Sequence, residues 1–434
     1  MLYYQLGDFM SFFILTLGCK VNTYESEAMA ELLIEKGYYN ASDYKKSDII
    51  IVNTCSVTNN ADIKSRKLIR RVRRENPKAI LVVCGCSVQN NYDEYDKMDI
   101  DILIGNRNKS IIVDLINEFI ETNKKYSFVN QNRKLTFESM MVSKFTSHTR
   151  AFLKIQDGCD NFCSYCIIPF VRGSIRSKDF NEALKEAKAL VANGHQEIVL
   201  TGIHTGSYNS NGKNLTALIK ELSKIKNLKL IRISSIEITE LDDEFLDELA
   251  NNPKIANHLH IPLQAGSNEI LKLMNRKYDL DYFEKKLNAI RKIRPNISIT
   301  TDLIVGFPNE TDELFIKSYE FCKKMNFAKI HVFPYSIRTG TKASLMDNQI
   351  DEQCKKMRSN KIGDLSKKLE LAYASLFINK DLDVLIEEVF DDYSVGHTSN
   401  YLKVRIDKVL KQNKIYKVNI KNISDDIIFG DVIL

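Results

Sequence analysis

Gln156-Asp157-Gly158-Cys159-Asp160-Asn161-Phe162-Cys163-Ser164-Tyr165-Cys166 follows directly on a short apolar run, 152–155, and holds three cysteines in CxxxCxxC spacing. Three thiolates are one ligand short of the four that a fully protein-bound iron–sulfur cluster takes. A cubane [4Fe–4S] cluster on Cys159, Cys163 and Cys166 keeps one iron open, and that iron can chelate the amino and carboxylate groups of S-adenosylmethionine. An electron delivered into the sulfonium then releases methionine and a 5′-deoxyadenosyl radical. Zinc is the competing reading. It needs a fourth Cys or His nearby, and the nearest histidines are His148 and His195, outside the loop.

Outward from this loop, strand-like runs alternate with helical patterns from Arg150 to about Arg338: 152–155, 197–201, 230–234, 258–262, 298–303 and 329–333. Six strands with intervening helices predict an open, partial (βα)6 barrel. A long helical pattern follows, with Met357, Ile362, Leu365, Leu369, Leu376 and Phe377 on an apolar stripe. From about Leu382 onward, short runs with turn signals (384–388, 401–406, 415–420, 431–434) predict a small β-barrel.

Upstream, three βα units succeed one another. Strands are expected at 12–17, 48–53 and 79–83, with a helix from Glu25 to Lys36 and another ending at Arg74. Such alternation implies a parallel sheet, whose ligand sites lie beyond the carboxyl ends of the strands. Cys19, Cys55 and Cys86 all fall there, so a second three-thiolate cluster is expected. Cys84-Gly85-Cys86 offers two candidates for one ligand; strand alternation would turn Cys84 the same way as Cys86, and it stays an alternative. Cys322 and Cys354 read as structural. A weakly patterned stretch, 121–149, marks a boundary. The fold class is therefore α/β, in three domains: 11–125 (parallel α/β), 145–375 (partial barrel) and 380–434 (β-barrel).

Nine cysteines, an odd number, argue against a paired disulfide framework. Hydrophobic residues at 44% and charged residues at 27% suit a globular protein with several cores. No apolar run approaches the roughly 20 residues of a membrane span, and Met1–Met10 lacks signal-peptide character, so a cytoplasmic protein is expected. The first nine residues read as an unstructured leader or as preceding an alternative start at Met10. A net charge of +6 makes any basic surface local. One cluster is Lys64, Arg66, Lys67, Arg70, Arg71, Arg73 and Arg74. The other is Lys403, Arg405, Lys408, Lys411, Lys414, Lys417 and Lys421, with Tyr401 and Tyr416 available for stacking on unpaired bases.

Several motifs carry a family resemblance. Cys163-Ser164-Tyr165-Cys166-Ile167-Ile168-Pro169, followed by Arg172-Gly173 and Arg176-Ser177, resembles the methylthiotransferase subgroup of the radical S-adenosylmethionine superfamily. Leu17-Gly18-Cys19-Lys20-Val21-Asn22 with Tyr24-Glu25-Ser26-Glu27, Asn53-Thr54-Cys55-Ser56-Val57-Thr58 and Gly85-Cys86-Ser87-Val88-Gln89 are similar to that subgroup's three N-terminal cysteine motifs. The final segment resembles the RNA-binding TRAM domain.

The resemblance implies two [4Fe–4S] clusters, S-adenosylmethionine, a tRNA substrate, an electron donor such as flavodoxin or ferredoxin, and a sulfur source. The auxiliary cluster is then where methylthio transfer is organised. Contacts to S-adenosylmethionine are expected from Thr201, Gly202, Ser234, Glu237, Gln264, Asp302 and Gly306 at the later strand ends. RNA contacts are expected from Arg66, Arg70, Arg73, Lys403, Arg405 and Lys411. Lys20-Val21-Asn22 and Leu200-Thr201-Gly202-Ile203-His204 look most like the branch acting on C2 of threonylcarbamoyladenosine at position 37 of tRNA. Isopentenyladenosine modification and a non-catalytic iron–sulfur RNA-binding or redox-sensing protein are the alternatives. No residue stands out as a general base.

Overall fold

A computed structural model describes residues 10–129, 132, 136–145 and 148–433; the expectation for residues 1–9 lies outside them. The chain forms two compact units. The first comprises the chain to Ser143 together with Gln156–Phe162 and Cys166–Lys178; the second comprises Lys144–Ile155, Cys163–Tyr165 and Asp179–Leu434.

In the first unit, six parallel strands pair in the order Tyr39–Asn40, Ser11–Thr16, Ile49–Thr54, Ile80–Gly85, Ile102–Ile104, Tyr126–Phe128. The side-chain period of two sorts each strand between two cores. Ile49, Ile51, Val82 and Cys84 pack with Phe12, Met29 and Leu33 on one face, whereas Ile50, Val52, Leu81 and Val83 pack with Ile69 and Val72 on the other.

One expectation is corrected here. The first helix spans Lys20–Glu35, five residues earlier than expected at its start, because its first turns bury the polar Asn22 and Glu25 alongside Val21 and Tyr24. Hydrophobic periodicity does not register such a face. Within the stretch 121–149, Tyr126–Phe128 extends the sheet, and Met140 is held by its carbonyl, which accepts from Tyr24 Oη at 2.7 Å and Lys178 Nζ at 2.9 Å.

In the second unit, Ala151–Lys154, Glu197–Thr201 and Leu230–Ile233 form one parallel sheet, and His258–His260, Ser298–Val305 and Lys329–Pro334 form another. They adjoin through a parallel bridge between Ile231 and Ile255 and the Ile236 N–H, which donates to the His260 carbonyl at 3.1 Å. All six expected strands are present. The helix Glu352–Ser375 buries Ile362, Leu365 and Leu369 but leaves Met357 exposed, and Leu376 just beyond it is exposed as well. The buried stripe runs on through Arg358 and Lys355, which lie one and two turns before Ile362, and Met357 falls off that face.

Asp381–Val389, Ser394–Thr398, Lys403–Ile406, Ile427–Val432 and Ile415–Ser424 close a five-stranded barrel around Val384, Ile386, Val404, Val418 and Ile420. Ser394–Thr398 was not expected as a strand: Gly396 and His397 separate its β-branched Val395 and Thr398. The last strand begins four residues before the expected 431.

Candidate metal centre and cofactor site

The strands that precede Cys19, Cys55 and Cys86 are neighbours in the sheet, with Thr16 opposite Asn53 and Thr54 opposite Gly85. Adjacent strands lie about 4.8 Å apart, so the three cysteines at their carboxyl ends are gathered into one region. Polar side chains interlock the turns that carry them. Asn22 Nδ2 donates to the carbonyls of Leu17 (2.7 Å) and Thr54 (2.9 Å), and Asn53 Nδ2 donates to the Asn22 carbonyl (3.0 Å) and Ser26 Oγ (3.1 Å). Thr54 Oγ1 donates to the Cys84 carbonyl at 2.7 Å and accepts from the Ser87 N–H at 3.2 Å.

Cys84 parts company with Cys86 at Gly85. With φ at +105°, Gly85 ends the strand, and a Cβ there would lie 2.5 Å from the Thr54 carbonyl oxygen. Cys84 therefore stays in the core beside Val82, whereas Cys86 opens a short helix and packs against Ile167 and Val171. The expected shared direction of the two is corrected by that turn. Burial pushes the Cys84 thiol up to about 12 and the Cys86 thiol up to about 11. Burial also raises Cys55, and negative charge at Cys19 acts on both Cys55 and Cys86 in the same direction.

Between these turns lies a buried charge network that sequence reasoning missed. Arg172 is fully enclosed: Nη1 donates to Glu25 Oε1 at 2.9 Å and Asp157 Oδ1 at 3.1 Å, and Nη2 donates to Asn22 Oδ1 at 2.8 Å. Lys109 Nζ, also fully enclosed, pairs with Glu25 Oε2 at 2.9 Å and donates to Asn106 Oδ1 at 3.0 Å. The Cys86 thiol donates to that same oxygen at 3.6 Å. Burial alone would lower the pKa of Arg172, but the facing charges of Cys86, Glu25, Asp157 and Cys19 hold it well above its ordinary value. Polar residues of the Tyr24-Glu25-Ser26-Glu27 and Arg172-Gly173 motifs were the available signal; their burial is visible only in the fold.

Cys159 and Cys166 belong to this first unit and are half-buried. The Cys159 N–H donates to the Gly173 carbonyl at 3.0 Å, and Phe162 holds φ at +46°, unusual for a bulky residue, edge-on to Phe170 at 5.8 Å. Cys163 belongs to the second unit, where Arg276 Nη1 donates to its Sγ at 3.2 Å and Arg276 Nη2 pairs closely with Glu237. Ser164 pins the next residue, its N–H donating to the Met274 carbonyl at 3.1 Å. Arg276 is a second residue that sequence reasoning missed.

The remaining expected cofactor residues are all in the second unit. Ser234 reaches Thr205 Oγ1 at 3.4 Å, Gly202 is half-buried, and Asp302 pairs with His260 at 3.2 Å. Gln264 takes φ at +68° beside the end of Ser298–Val305. Thr201 is buried and donates to the Val199 carbonyl. Gly306 is corrected: it is buried, its N–H donates to Glu310 Oε2 at 2.6 Å, and a Cβ would meet Lys355 Cγ at 2.3 Å. Its glycine serves helix packing.

Among described residues, no three or more His, Cys, Asp or Glu side chains group tightly enough for a single metal ion. A cubane is itself several ångströms across, so its thiolates stand apart around it rather than converging on one point, and strand-end spacing suits that. Cys19, Cys55 and Cys86 fit such a group.

On the helix Asn59–Glu75, Lys64, Lys67, Arg70, Arg71 and Arg74 are exposed. Arg66 is paired with Glu94 at 2.9 Å. Arg73 is turned inward to Asp101 at 2.5 Å and to the Ala79 carbonyl, which corrects its placement on an open face. Lys403 and Lys411 are exposed, and Arg405 pairs with Asp407 at 2.8 Å while lying 4.0 Å over the Tyr393 ring. Tyr401 is already stacked between His258 (4.8 Å) and His397 (4.9 Å), so it does not offer both faces to a base.

Residues 153–322 match the radical SAM superfamily and residues 11–105 match uncharacterized protein family UPF0004. The threonylcarbamoyladenosine tRNA methylthiotransferase MtaB of Bacillus subtilis is 44% identical over 90% of this chain and 88% of its own length. A tRNA-2-methylthio-N(6)-dimethylallyladenosine synthase of Natranaerobius thermophilus is 34% identical over 94% of this chain and 92% of its own. The radical S-adenosylmethionine methyltransferase TsrM of Kitasatospora setae shares the fold at 14% identity, with a TM-score of 0.58 over 77% of each chain. With cysteine turns on neighbouring strand ends, a CxxxCxxC loop after the first strand of a six-stranded βα array, and that identity over nearly its whole length, the chain belongs to the radical S-adenosylmethionine methylthiotransferases.

Proposed function

We propose that this protein installs a methylthio group at C2 of N6-threonylcarbamoyladenosine at position 37 of tRNA. Its cofactors are S-adenosylmethionine and two [4Fe–4S] clusters. The observation that carries the reading is the gathering of Cys19, Cys55 and Cys86 onto three neighbouring strand ends in a chain that also holds the CxxxCxxC loop. The threonylcarbamoyl branch is favoured over the dimethylallyl branch by 44% against 34% identity.

Cys159, Cys163 and Cys166 hold the cluster that binds S-adenosylmethionine, and Cys19, Cys55 and Cys86 hold the auxiliary one. Once bound, these cofactors supply the radical and the methylthio sulfur, and the protein's own contribution is placement. Arg276 donates to Cys163 and orients Glu237; Thr201, Gly202, Ser234, Gln264 and Asp302 surround the nucleoside part of S-adenosylmethionine. Lys64, Lys67, Arg70, Arg71 and Arg74 bind tRNA phosphates, joined by Lys403 and Lys411. An electron donor of the flavodoxin or ferredoxin kind and a sulfur source complete the reaction in the cytoplasm. No helix among the described residues is long and apolar enough to cross a membrane.

Anaerobic iron and sulfide counts test the ligands: about eight irons in wild type falling to about four in the Cys159→Ala, Cys163→Ala, Cys166→Ala triple variant marks two separate clusters, and about four falling to none sinks the reading. Mass spectrometry of tRNA from a deletion strain tests the substrate: the methylthio group should vanish from threonylcarbamoyladenosine and persist on isopentenyladenosine. Absence of 5′-deoxyadenosine after reduction with S-adenosylmethionine would instead establish a non-catalytic iron–sulfur protein.

A further inference from the structure

We propose that Arg172, with Lys109 behind it, is the charge-compensating element of the Cys19/Cys55/Cys86 centre, and that these buried cations raise the reduction potential of the cluster held there. This rests on the assignment of those cysteines as cluster ligands.

Both side chains are fully enclosed, and an enclosed charge persists only where opposite charge meets it. The ion pairs join three cations, Arg172, Lys109 and Arg176, to two carboxylates, Glu25 and Asp157. Among these described pairs the cations outnumber the carboxylates by one, while the buried Asp62 carboxylate faces Cys55 from outside them. Glu138 also faces Lys109, but it lies on a solvent-reached segment where its carboxylate accepts from the Ser110 N–H, so it screens weakly. Arg172 also faces cysteines: its charge acts on Cys19, Cys55 and Cys86 alike.

Hydrogen bonding gives a second, independent sign. Arg172 Nε and Asn106 Nδ2 are buried donors with no acceptor among the described residues, at a cost that native structures rarely bear without a reason. Asn106 sits at Cys86, and Arg172 is the neighbour of Val171, which packs on Cys86. Cluster sulfur accepts such N–H groups, and hydrogen bonds and net charge are the protein's levers on cluster potential. A three-thiolate cubane in its oxidised state carries one net negative charge; adding an electron makes it more negative, and a buried cation favours that state.

Arg172 also reaches Asp157, which precedes Gly158 and Cys159 in the chain, so a purely structural tie is the rival account. A reduction potential separates the two. In the full-length chain carrying Cys159→Ala, Cys163→Ala and Cys166→Ala, only the N-terminal centre contributes signal. Iron content and an anaerobic redox titration followed by electron paramagnetic resonance would be compared for this parent and for added Arg172→Gln, Arg172→Lys or Lys109→Met. The expected result is a shift to lower potential in Arg172→Gln, most of it restored in Arg172→Lys, and a smaller shift of the same sign in Lys109→Met. Parent-like potential in an iron-loaded Arg172→Gln overturns the proposal. If that variant does not fold, an unchanged potential in Lys109→Met overturns it instead, and iron loss that Arg172→Lys fails to rescue assigns Arg172 to scaffolding. A parent with no iron overturns the ligand assignment, and this inference with it.

Discussion

Cys84 and Cys86 are two residues apart and chemically identical, yet the backbone turn at Gly85 sends one into the core and the other to the centre. Cys86→Ala should therefore remove about four irons, whereas Cys84→Ala should keep them and lower stability by about 1 kcal/mol, as a small core deletion does; iron analysis beside thermal unfolding checks both. Gly306→Ala should likewise act on stability, by about 1–2 kcal/mol for a side chain forced into left-handed backbone, and leave S-adenosylmethionine affinity unchanged in equilibrium binding. The proposed ligand cysteines could be picked out in the sequence because their spacing and flanking residues are local properties. Arg172, Lys109 and Arg276 were not, since their partners are distant in sequence: Arg172 meets Glu25 across 147 positions.

At the level of the element, strands were the easier reading. Central parallel strands such as Ile49–Thr54 are buried on both faces, and their continuous apolar runs show it. Helices that face the centre hide their buried side behind polar residues, which is why Lys20–Glu35 was placed late. The helix Asn59–Glu75 divides its arginines between two jobs. Lys64, Lys67, Arg71 and Arg74 recur at three- and four-residue spacing on one exposed face. Replacing Lys67, Arg71 and Arg74 with Ala should weaken tRNA binding and reduce its logarithmic salt slope by about one for each phosphate deprived of its cation, measured by titration at several salt concentrations. Arg73→Ala should lower the unfolding free energy by about 1–3 kcal/mol through the stranded Asp101, with little effect on that slope.

Over the whole molecule, stability should depend on pH through the buried His195. His195 takes the Phe145 N–H on Nε2 at 3.1 Å, so its ring is neutral and Nδ1 donates to the Thr149 carbonyl at 2.9 Å. Burial holds its pKa below the ordinary value. A depressed folded-state value means that the contribution is complete above the unfolded value of about 6.5 and is lost as pH falls through it toward the folded one. Melting temperature should thus fall from pH 7.5 to 5.5, and His195→Gln should flatten that trend. The six-stranded βα array and the C-terminal barrel were legible in outline from run lengths and turns. Ser394–Thr398 was not, because its two β-branched residues, Val395 and Thr398, are separated by Gly396 and His397, and its neighbours' hydrogen bonds close it into the barrel.

The residues 166–178 complete a unit whose sheet is finished before Ser143. During synthesis at about 5–20 residues per second, the sheet waits a few seconds for the segment that carries Arg172 and Lys178. Until then Glu25 lacks the Arg172 guanidinium, and the Met140 carbonyl lacks its lysine. The nascent unit is thus held incomplete until the CxxxCxxC loop has been made. A fragment ending at Ser143 should be poorly folded on its own, and folding of one cysteine centre is thereby tied to translation of the other.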